Sequence, residues 1–322
     1  MEEQERQKDE GLREPELLYH YTTQEGLLGI LEKECIWATH FRCLNDTSEG
    51  EIVSRAAWHE LNSRVNSDSL MQFLGIPLQK SKKNIECNDE EILSQGNRIL
   101  SEVTSRDVYV TSLSGQGNLL SQWRAYCGKS SGYSIGFSPS YLKAIGTHFL
   151  GEISRKGFLP GEPLFPCQYY DDEVTKQLTE KIHKSVDAYI GEAEQTKREF
   201  TSNERTGPRT PTAIAIRHFR PLSLDCAITK DHAFHEEQEW RLVFRLVNQS
   251  LEDVFFRVGR SMLIPYLKIP LAFENQRAEI KRIYVGPSPN LTGARESVEM
   301  LLRKHGIHGV DVKSSMIPYR NW

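Results

Sequence analysis

The sequence lacks the signatures of membrane and secreted proteins. No apolar run approaches the roughly 18 residues that a membrane span needs. The opening stretch, MEEQERQKDEGLRE, is charged throughout and has no apolar segment of the kind found in secretory signals. The formal net charge of -4 gives no overall basic field that would attract a nucleic acid. We therefore expect a cytoplasmic protein without a membrane partner, and a disordered tail over residues 1–15 because its composition cannot form a core.

Closely spaced cysteines are also missing. The six cysteines lie far apart and form no C-x-x-C pair, which favours reduced thiols over a disulfide framework or a zinc knuckle. A metal site could be assembled from His232, His235, Glu237 and Glu239. A strand would, however, place the two histidines on opposite faces, and their spacing matches no closed zinc pattern. We expect no bound metal.

The common nucleotide and hydrolase motifs are absent as well. The sequence contains no G-x-x-x-x-G-K-[ST] phosphate loop, no G-x-G-x-x-G after a strand and no G-x-S-x-G nucleophile elbow. These absences argue against the familiar ATP, dinucleotide and acyl-hydrolase sites. Any catalytic chemistry must therefore come from residues that no common motif marks.

The composition that is present belongs to a globular protein, because 38% of the 322 residues are hydrophobic and 26% are charged. Near the start, Leu17 to Tyr19 predict a short strand, and Thr22-x-x-Glu25 predicts a capping box that opens a helix. The sequence CIWATHF then alternates as a half-buried strand does. The predicted apolar face of the helix consists of Leu27, Leu28, Ile30 and Leu31.

Later segments repeat this mixture of strands and helices. Strands are predicted at Val108 to Leu113 and Gly132 to Phe137, with a helix near Leu119 to Tyr126 between them, and a further helix at about Ala294 to His305. The order lacks a regular strand–helix alternation, so we predict an α+β fold with a mixed or split antiparallel sheet. We expect a single domain over residues 16–322, with polar helical insertions near 51–106 and 169–211.

Three groups of residues remain as candidates for chemistry. They are His20-Tyr21-Thr22, then Ser112-Leu113-Ser114 with Tyr133, and Glu237-Gln238-Glu239. If the last group lies on a strand, its two carboxylates share one face. Cleavage of a nicotinamide–ribose bond needs a carboxylate for an oxocarbenium-like state, an aromatic face and a fixed hydrogen-bonding group. These residues are of the right types.

The chain resembles a widespread bacterial family catalogued as a domain of unknown function. The resemblance runs in order through LYHYTT, LNDTSE, SQWRAY, EEQEWR and SSMIPYR, from about Leu17 to Arg320. The opening strand is also similar to the H-Y-x(T) strand of the ADP-ribosyltransferase superfamily. That resemblance implies a sheet core of the ADP-ribosyltransferase-like type, with NAD as the substrate.

The superfamily resemblance also implies roles for individual residues. A late Q-x-E or E-x-E pair would make Glu239 catalytic, with Glu237 as the second carboxylate. His20 would orient the ribose, and Tyr21 or Tyr133 would stack on nicotinamide. The remaining candidates for the NAD site are Thr22, Ser112 and Ser114.

Other residues have both a functional and a structural interpretation. Trp123, Arg124 and Tyr126 could form a base-stacking surface or anchor a helix. Arg320 could contact phosphate or belong to a strand that closes the sheet, and Arg241 could bind substrate or pair with Glu239 in the core.

These features leave two main functions open. The first is an ADP-ribosyltransferase-like enzyme that cleaves NAD and modifies a nucleic acid, a protein or a small molecule, as a toxin or an anti-phage effector. The second is a non-catalytic nucleotide-binding sensor or interaction protein in bacterial defence. A third, less favoured by the residues, is a hydrolase of nucleotides or nucleic acids.

Overall fold

A computed structural model describes residues 14–44, 49–65, 100–127, 132–154, 161–201, 210–246, 251–273 and 277–318. The chain divides into two compact units. The first comprises Met1–His40, Tyr109–Cys167 and Ala233–Trp322, and the second comprises Phe41–Val108 and Gln168–His232. Most of the predicted disordered tail lies outside the described residues.

The strands and helices are numbered in chain order. The strands are β1 Leu18–Thr22, β2 Cys35–His40, β3 Val108–Ser114, β4 Tyr133–Phe137, β5 Leu164–Pro166, β6 Gln168–Tyr169, β7 Thr229–Lys230, β8 Glu239–Arg245, β9 Val254–Val258, β10 Leu263–Pro270, β11 Arg282–Val285 and β12 Asp311–Ser314. The helices are α1 Gln24–Lys33, α2 Glu49–Arg64, α3 Leu120–Tyr126, α4 Pro139–Ser154, α5 Asp172–Thr201, α6 Pro211–Phe219, α7 Ser223–Ile228 and α8 Leu291–Lys304. Short 3₁₀ helices occupy Phe41–Cys43, Arg220–Leu222 and His232–Glu237.

The first unit contains a ten-stranded sheet. Its main path runs β12-β11-β4-β1-β3-β2-β10-β9, and β8 joins it by pairing with β3 and with β5. The β11–β12 pair is parallel, whereas β1, β2, β4 and β10 pair antiparallel with their neighbours. The α+β class with a mixed, mostly antiparallel sheet is therefore confirmed. Because β3 contacts β1, β2 and β8, the sheet branches at this strand.

The two faces of β1 belong to different apolar clusters. Its registers place Leu18 opposite Phe137 of β4 and Tyr19 opposite Ser114 of β3. Leu18 and Phe137 belong to the large core of the first unit. Tyr19 and Tyr21 belong instead to a smaller cluster, which also contains Leu17, Trp123 and Cys127. The alternation of the strand therefore separates the main core from an aromatic cluster that borders the candidate site.

The second unit is largely helical in its described part. Apolar side chains of α2, α5 and α6 form one core, and β6 and β7 form a two-stranded parallel sheet. The polar segments predicted as helical insertions contain α2, α5 and the helical residues 100–105. Residues 66–99 and 202–209 of these segments lie outside the described residues. The prediction of a single domain stays a prediction.

The first helix corrects two expectations. Thr23, rather than Thr22, is its N-cap, and the Thr23 hydroxyl accepts a hydrogen bond from the backbone N–H of Gly26. The buried face contains Leu27, Ile30 and Leu31, whereas Leu28 is exposed. Leu28 differs because it turns about 100° from Leu27 on a 3.6-residue helix, which carries it off the inward face.

No helix among the described residues is long and apolar enough to cross a membrane. This finding applies to the described ranges of both units.

A matched pair of leucines tests the orientation of α1. Leu31 is 1% exposed and Leu28 is 43% exposed. We expect Leu31→Ala to lower the free energy of unfolding by about 2–5 kcal/mol through loss of buried contacts and creation of a cavity. Leu28→Ala should change it by less than about 1 kcal/mol. Urea unfolding of both variants measures the difference, and equal losses would show that the helix face is misassigned.

Candidate functional site

A cavity in the first unit brings together the early and late candidate residues. It borders β1, β3, α3 and the start of β8, and its volume is about 50 Å³. That volume accommodates a few ordered water molecules or one small chemical group. Its lining consists of Tyr19, His20, Tyr21, Ser112, Leu113, Gln122, Tyr126, Glu237 and Glu239.

His20 is fixed in one orientation by the backbone of β3. Its Nδ1 lies 3.1 Å from the carbonyl oxygen of Ser112. Because a carbonyl only accepts, Nδ1 must carry the proton in this bond. Burial lowers the pKa of His20, while the bond to Ser112 acts in the opposite direction with less effect. The neutral imidazole therefore keeps the lone pair of Nε2 as a hydrogen-bond acceptor.

Glu239 forms a buried ion pair with Arg241. The Arg241 Nε donates to Glu239 Oε1 at 2.8 Å, and Nη2 donates to Oε2 at 3.0 Å. The two side chains are only 5% and 2% exposed, respectively. Arg241 therefore pairs with Glu239 in the core, which is the structural alternative for these two residues. Glu239 also lines the cavity.

Glu237 does not share a strand face with Glu239, contrary to the sequence prediction. Glu237 ends a 3₁₀ helix, and β8 begins at Glu239. Between them, Gln238 adopts a left-handed backbone conformation with φ of 43°. This turn breaks the alternation of a strand, so spacing by two residues no longer fixes a common face. Glu237 and Glu239 still border the same cavity.

The end of β3 holds the turn before β8 in place. The Ser114 hydroxyl donates to the carbonyl of Glu237 at 2.7 Å and accepts from the backbone N–H of Gln116 at 3.0 Å. The backbone N–H of Gly115 donates to the carbonyl of Gln238 at 2.9 Å. Ser114 therefore positions the turn, and it does not line the cavity itself.

Tyr21 has a ring at the cavity and a hydroxyl that is fully engaged elsewhere. The hydroxyl donates to the carbonyl of Gln116 at 2.7 Å and accepts from the backbone N–H of Leu119 at 2.9 Å. The ring meets Trp123 edge-on, with the centroids 4.7 Å apart. Burial raises the pKa of Tyr21 above the ordinary tyrosine value. The residue therefore provides a rigid wall, and its hydroxyl is already saturated.

The residues of α3 divide between the cavity, the core and the surface. Trp123 is buried and donates from its indole Nε1 to Asn118 Oδ1 at 2.9 Å, so it anchors the helix and presents no stacking surface. Arg124 is exposed. Tyr126 lines the cavity together with Gln122, a residue that the sequence analysis did not select. The signal for Gln122 was its position four residues before Tyr126, which places both on one helix face.

Several predicted site residues lie away from the cavity. Tyr133 is buried in the main core on β4, so it cannot stack on a ligand in this cavity. The Thr22 side chain packs against Gly26 at the start of α1. It lies so close that a Cβ added to Gly26 would be 1.9 Å from Thr22 Oγ1. Arg241 lies behind Glu239 as its ion-pair partner. Arg320 lies outside the described residues.

His232 and His235 do not take part in a metal site within the described ranges. No group of three or more histidine, cysteine or acidic side chains there could hold a metal ion. Both histidines are exposed on the 3₁₀ helix that precedes β8.

One comparison with known proteins finds a similarity over part of the chain. A family model described as a protein of unknown function (DUF2971) matches residues 122–242. This match supports the expected similarity to a domain-of-unknown-function family over the segment from α3 to β8. No curated protein and no solved structure matches the chain.

The Glu239–Arg241 pair can be tested through stability. We expect Glu239→Gln to lower the free energy of unfolding by about 3–5 kcal/mol, because it removes the negative charge that pairs with the buried Arg241 guanidinium. The double variant Glu239→Leu/Arg241→Met should lose less than the sum of Glu239→Leu and Arg241→Met, since it removes both charges together. Urea unfolding of the four variants measures both effects, and strictly additive losses in the double variant would contradict a coupled ion pair.

The lowered pKa of His20 predicts a pH-dependent stability. In the unfolded chain a histidine has a pKa of about 6.5. In the folded protein the pKa of His20 lies below that value. As the pH falls through this window, the unfolded state binds a proton first, so the fold loses stability.

The non-titrating variant His20→Asn isolates this contribution. Its amide can still donate to Ser112, and its stability should fall less than that of the wild type between about pH 7.5 and about pH 5.5. Thermal or urea unfolding at the two pH values gives the comparison. Identical pH dependence of the two proteins would show that His20 titrates as it does in water.

Proposed function

We propose that this protein is an ADP-ribosyltransferase-like enzyme that cleaves the nicotinamide–ribose bond of NAD and transfers ADP-ribose to a nucleic acid, a protein or a small molecule. The observation that carries the proposal is the meeting of His20, Glu237 and Glu239 around one cavity. His20 lies more than 200 positions before the two glutamates in the sequence. The branching of the sheet at β3 supports an ADP-ribosyltransferase-like type of core.

His20 would orient the ribose in this reaction. Its Nδ1–H is bonded to the Ser112 carbonyl, so the available atom is the Nε2 acceptor. A ribose hydroxyl can donate to that nitrogen. Because burial keeps the imidazole neutral, His20 adds no positive charge beside the cation that develops at C1′.

Glu239 would stabilise the developing cation. Its carboxylate would accept a hydrogen bond from a ribose hydroxyl and place negative charge near the oxocarbenium-like centre. The two bonds from Arg241 fix the carboxylate before substrate arrives, so little reorganisation is needed during the reaction. The same arginine offsets part of the negative charge, which makes the nearby Glu237 carboxylate important.

Glu237 would act as the second carboxylate. When the bond between C1′ and the nicotinamide nitrogen breaks, nicotinamide leaves with the electron pair. An acceptor oxygen or nitrogen then forms a bond to C1′, and Glu237 takes up the proton that the acceptor releases. The cavity of about 50 Å³ fits one small group of NAD, such as a hydroxyl or the carboxamide, so most of the molecule would lie outside it.

The buried ion pair supports a second candidate function. An arginine that binds both oxygens of Glu239 also suits a residue that only shapes a binding pocket. The protein would then bind a nucleotide as a sensor or interaction module without turning it over. Turnover of NAD separates this candidate from the enzyme.

The experiment measures release of nicotinamide from labelled NAD, with and without cell lysate as a source of acceptor. We expect turnover by the wild type, and a loss of about two to three orders of magnitude in Glu239→Gln and in Glu237→Gln, because each removes charge from the reacting centre. Glu236→Gln makes the same chemical change at an exposed neighbour outside the cavity and should keep full turnover.

Thermal unfolding of the same preparations separates catalysis from folding. A folded Glu239→Gln variant with undiminished turnover would remove Glu239 from the catalytic role. Binding of NAD without turnover, in the wild type with every acceptor source tested, would favour the sensor.

A further inference from the structure

Gln122 presents its carboxamide to the cavity. Its side chain lies on α3, is 5% exposed and lines the cavity. The carboxamide forms no hydrogen bond with any residue in the described part of the chain. Buried side-chain amides are nearly always bonded to protein, water or a ligand, so this carboxamide is available to a small group that enters the cavity.

The packing of α3 leaves the Gln122 side chain in a defined place. Trp123 and Cys127 hold the helix through the aromatic cluster, and Trp123 also bonds Asn118. Gln122 and Tyr126 lie four residues apart on the adjacent face, and both line the cavity. The carboxamide is therefore positioned by the anchored helix, and no internal partner draws it away from the cavity.

The chemistry of the cavity selects the kind of ligand group. A carboxamide offers both a donor and an acceptor, so its best partner is a planar group that carries the complementary pair. The aromatic walls formed by Tyr19, Tyr21 and Tyr126 suit a small planar group such as an amide. Glu237 and Glu239 disfavour a ligand carboxylate in the same space.

We propose that Gln122 is a specificity-determining residue that binds the carboxamide of nicotinamide. This inference rests on the proposed function, because it assigns the leaving group of NAD to the Gln122 side of the cavity. The Gln122 N–H₂ donates to the amide oxygen of the ligand, and the Gln122 oxygen accepts from the amide N–H₂ of the ligand. A nicotinic acid ring offers no such donor and adds a negative charge.

The test measures the shift of the thermal midpoint with nicotinamide, with nicotinic acid and with adenosine, whose adenine edge also offers a donor and an acceptor. We expect nicotinamide to stabilise the wild type and nicotinic acid to do so far less. Gln122→Leu should bind nicotinamide roughly tenfold to a hundredfold more weakly. Its midpoint without ligand should be unchanged or raised, because leucine fills similar space without an unpaired polar group.

Gln177→Leu is the matched control, since it makes the same change at an exposed position of α5 in the second unit. It should bind nicotinamide as the wild type does. The inference is overturned if the wild type binds no nicotinamide, if Gln122→Leu binds it equally well, or if only adenosine binding depends on Gln122. A marked fall in the unliganded midpoint of Gln122→Leu would assign the residue a structural role instead.

The assay also separates this inference from the proposed function. Gln122-dependent binding of nicotinamide without NAD cleavage would support the role of Gln122 and reject the enzyme. Cleavage of NAD with equal nicotinamide affinity in the wild type and Gln122→Leu would support the enzyme and reject the role of Gln122.

Discussion

The candidate site depends on the pairing of Glu239 with Arg241. A charged carboxylate is costly to bury unless a counter-charge and hydrogen bonds compensate for the lost water. Arg241 supplies both from two positions along the same strand, where alternation brings the two side chains to one face. Because β8 pairs with β3 and with β5, the strand that bears the Arg241 guanidinium is held within the sheet. A negative charge can therefore persist at the wall of a cavity that three tyrosines also line.

The turn at Gln238 explains how two glutamates reach one cavity from different elements. The left-handed backbone at Gln238 redirects the chain between the 3₁₀ helix and β8. Ser114 and Gly115, at the end of β3, bond to the carbonyls of Glu237 and Gln238. The same strand provides the Ser112 carbonyl that orients His20. The end of β3 thus connects the early histidine to the late carboxylates, which is why residues so distant in sequence share one site.

Elements with strong periodicity could be predicted from the sequence, and details set by single backbone angles could not. Alternation and helical spacing located β1, β3, β4, α3 and α8 to within a few residues. The prediction that Glu237 and Glu239 share one face was wrong, because Gln238 adopts a left-handed conformation just before β8 begins. Tyr133 has an aromatic ring of the kind that could stack on a ligand. The pairing of β4 with β1 instead places this ring in the main core. Neither the angle nor the partner strand can be read from local sequence.

The helix α3 shows why residue type alone misplaced part of the site. The tryptophan, arginine and tyrosine of SQWRAY are all residue types that could stack on a base. Helical geometry nevertheless places them in three different environments. Trp123 enters the aromatic cluster, Arg124 faces solvent and Tyr126 borders the cavity. The rotation of about 100° per residue that buries Trp123 also turns Gln122 toward the cavity. A change in the packing of Trp123 would therefore move Gln122 and Tyr126 together, so Trp123 affects the cavity although it does not line it.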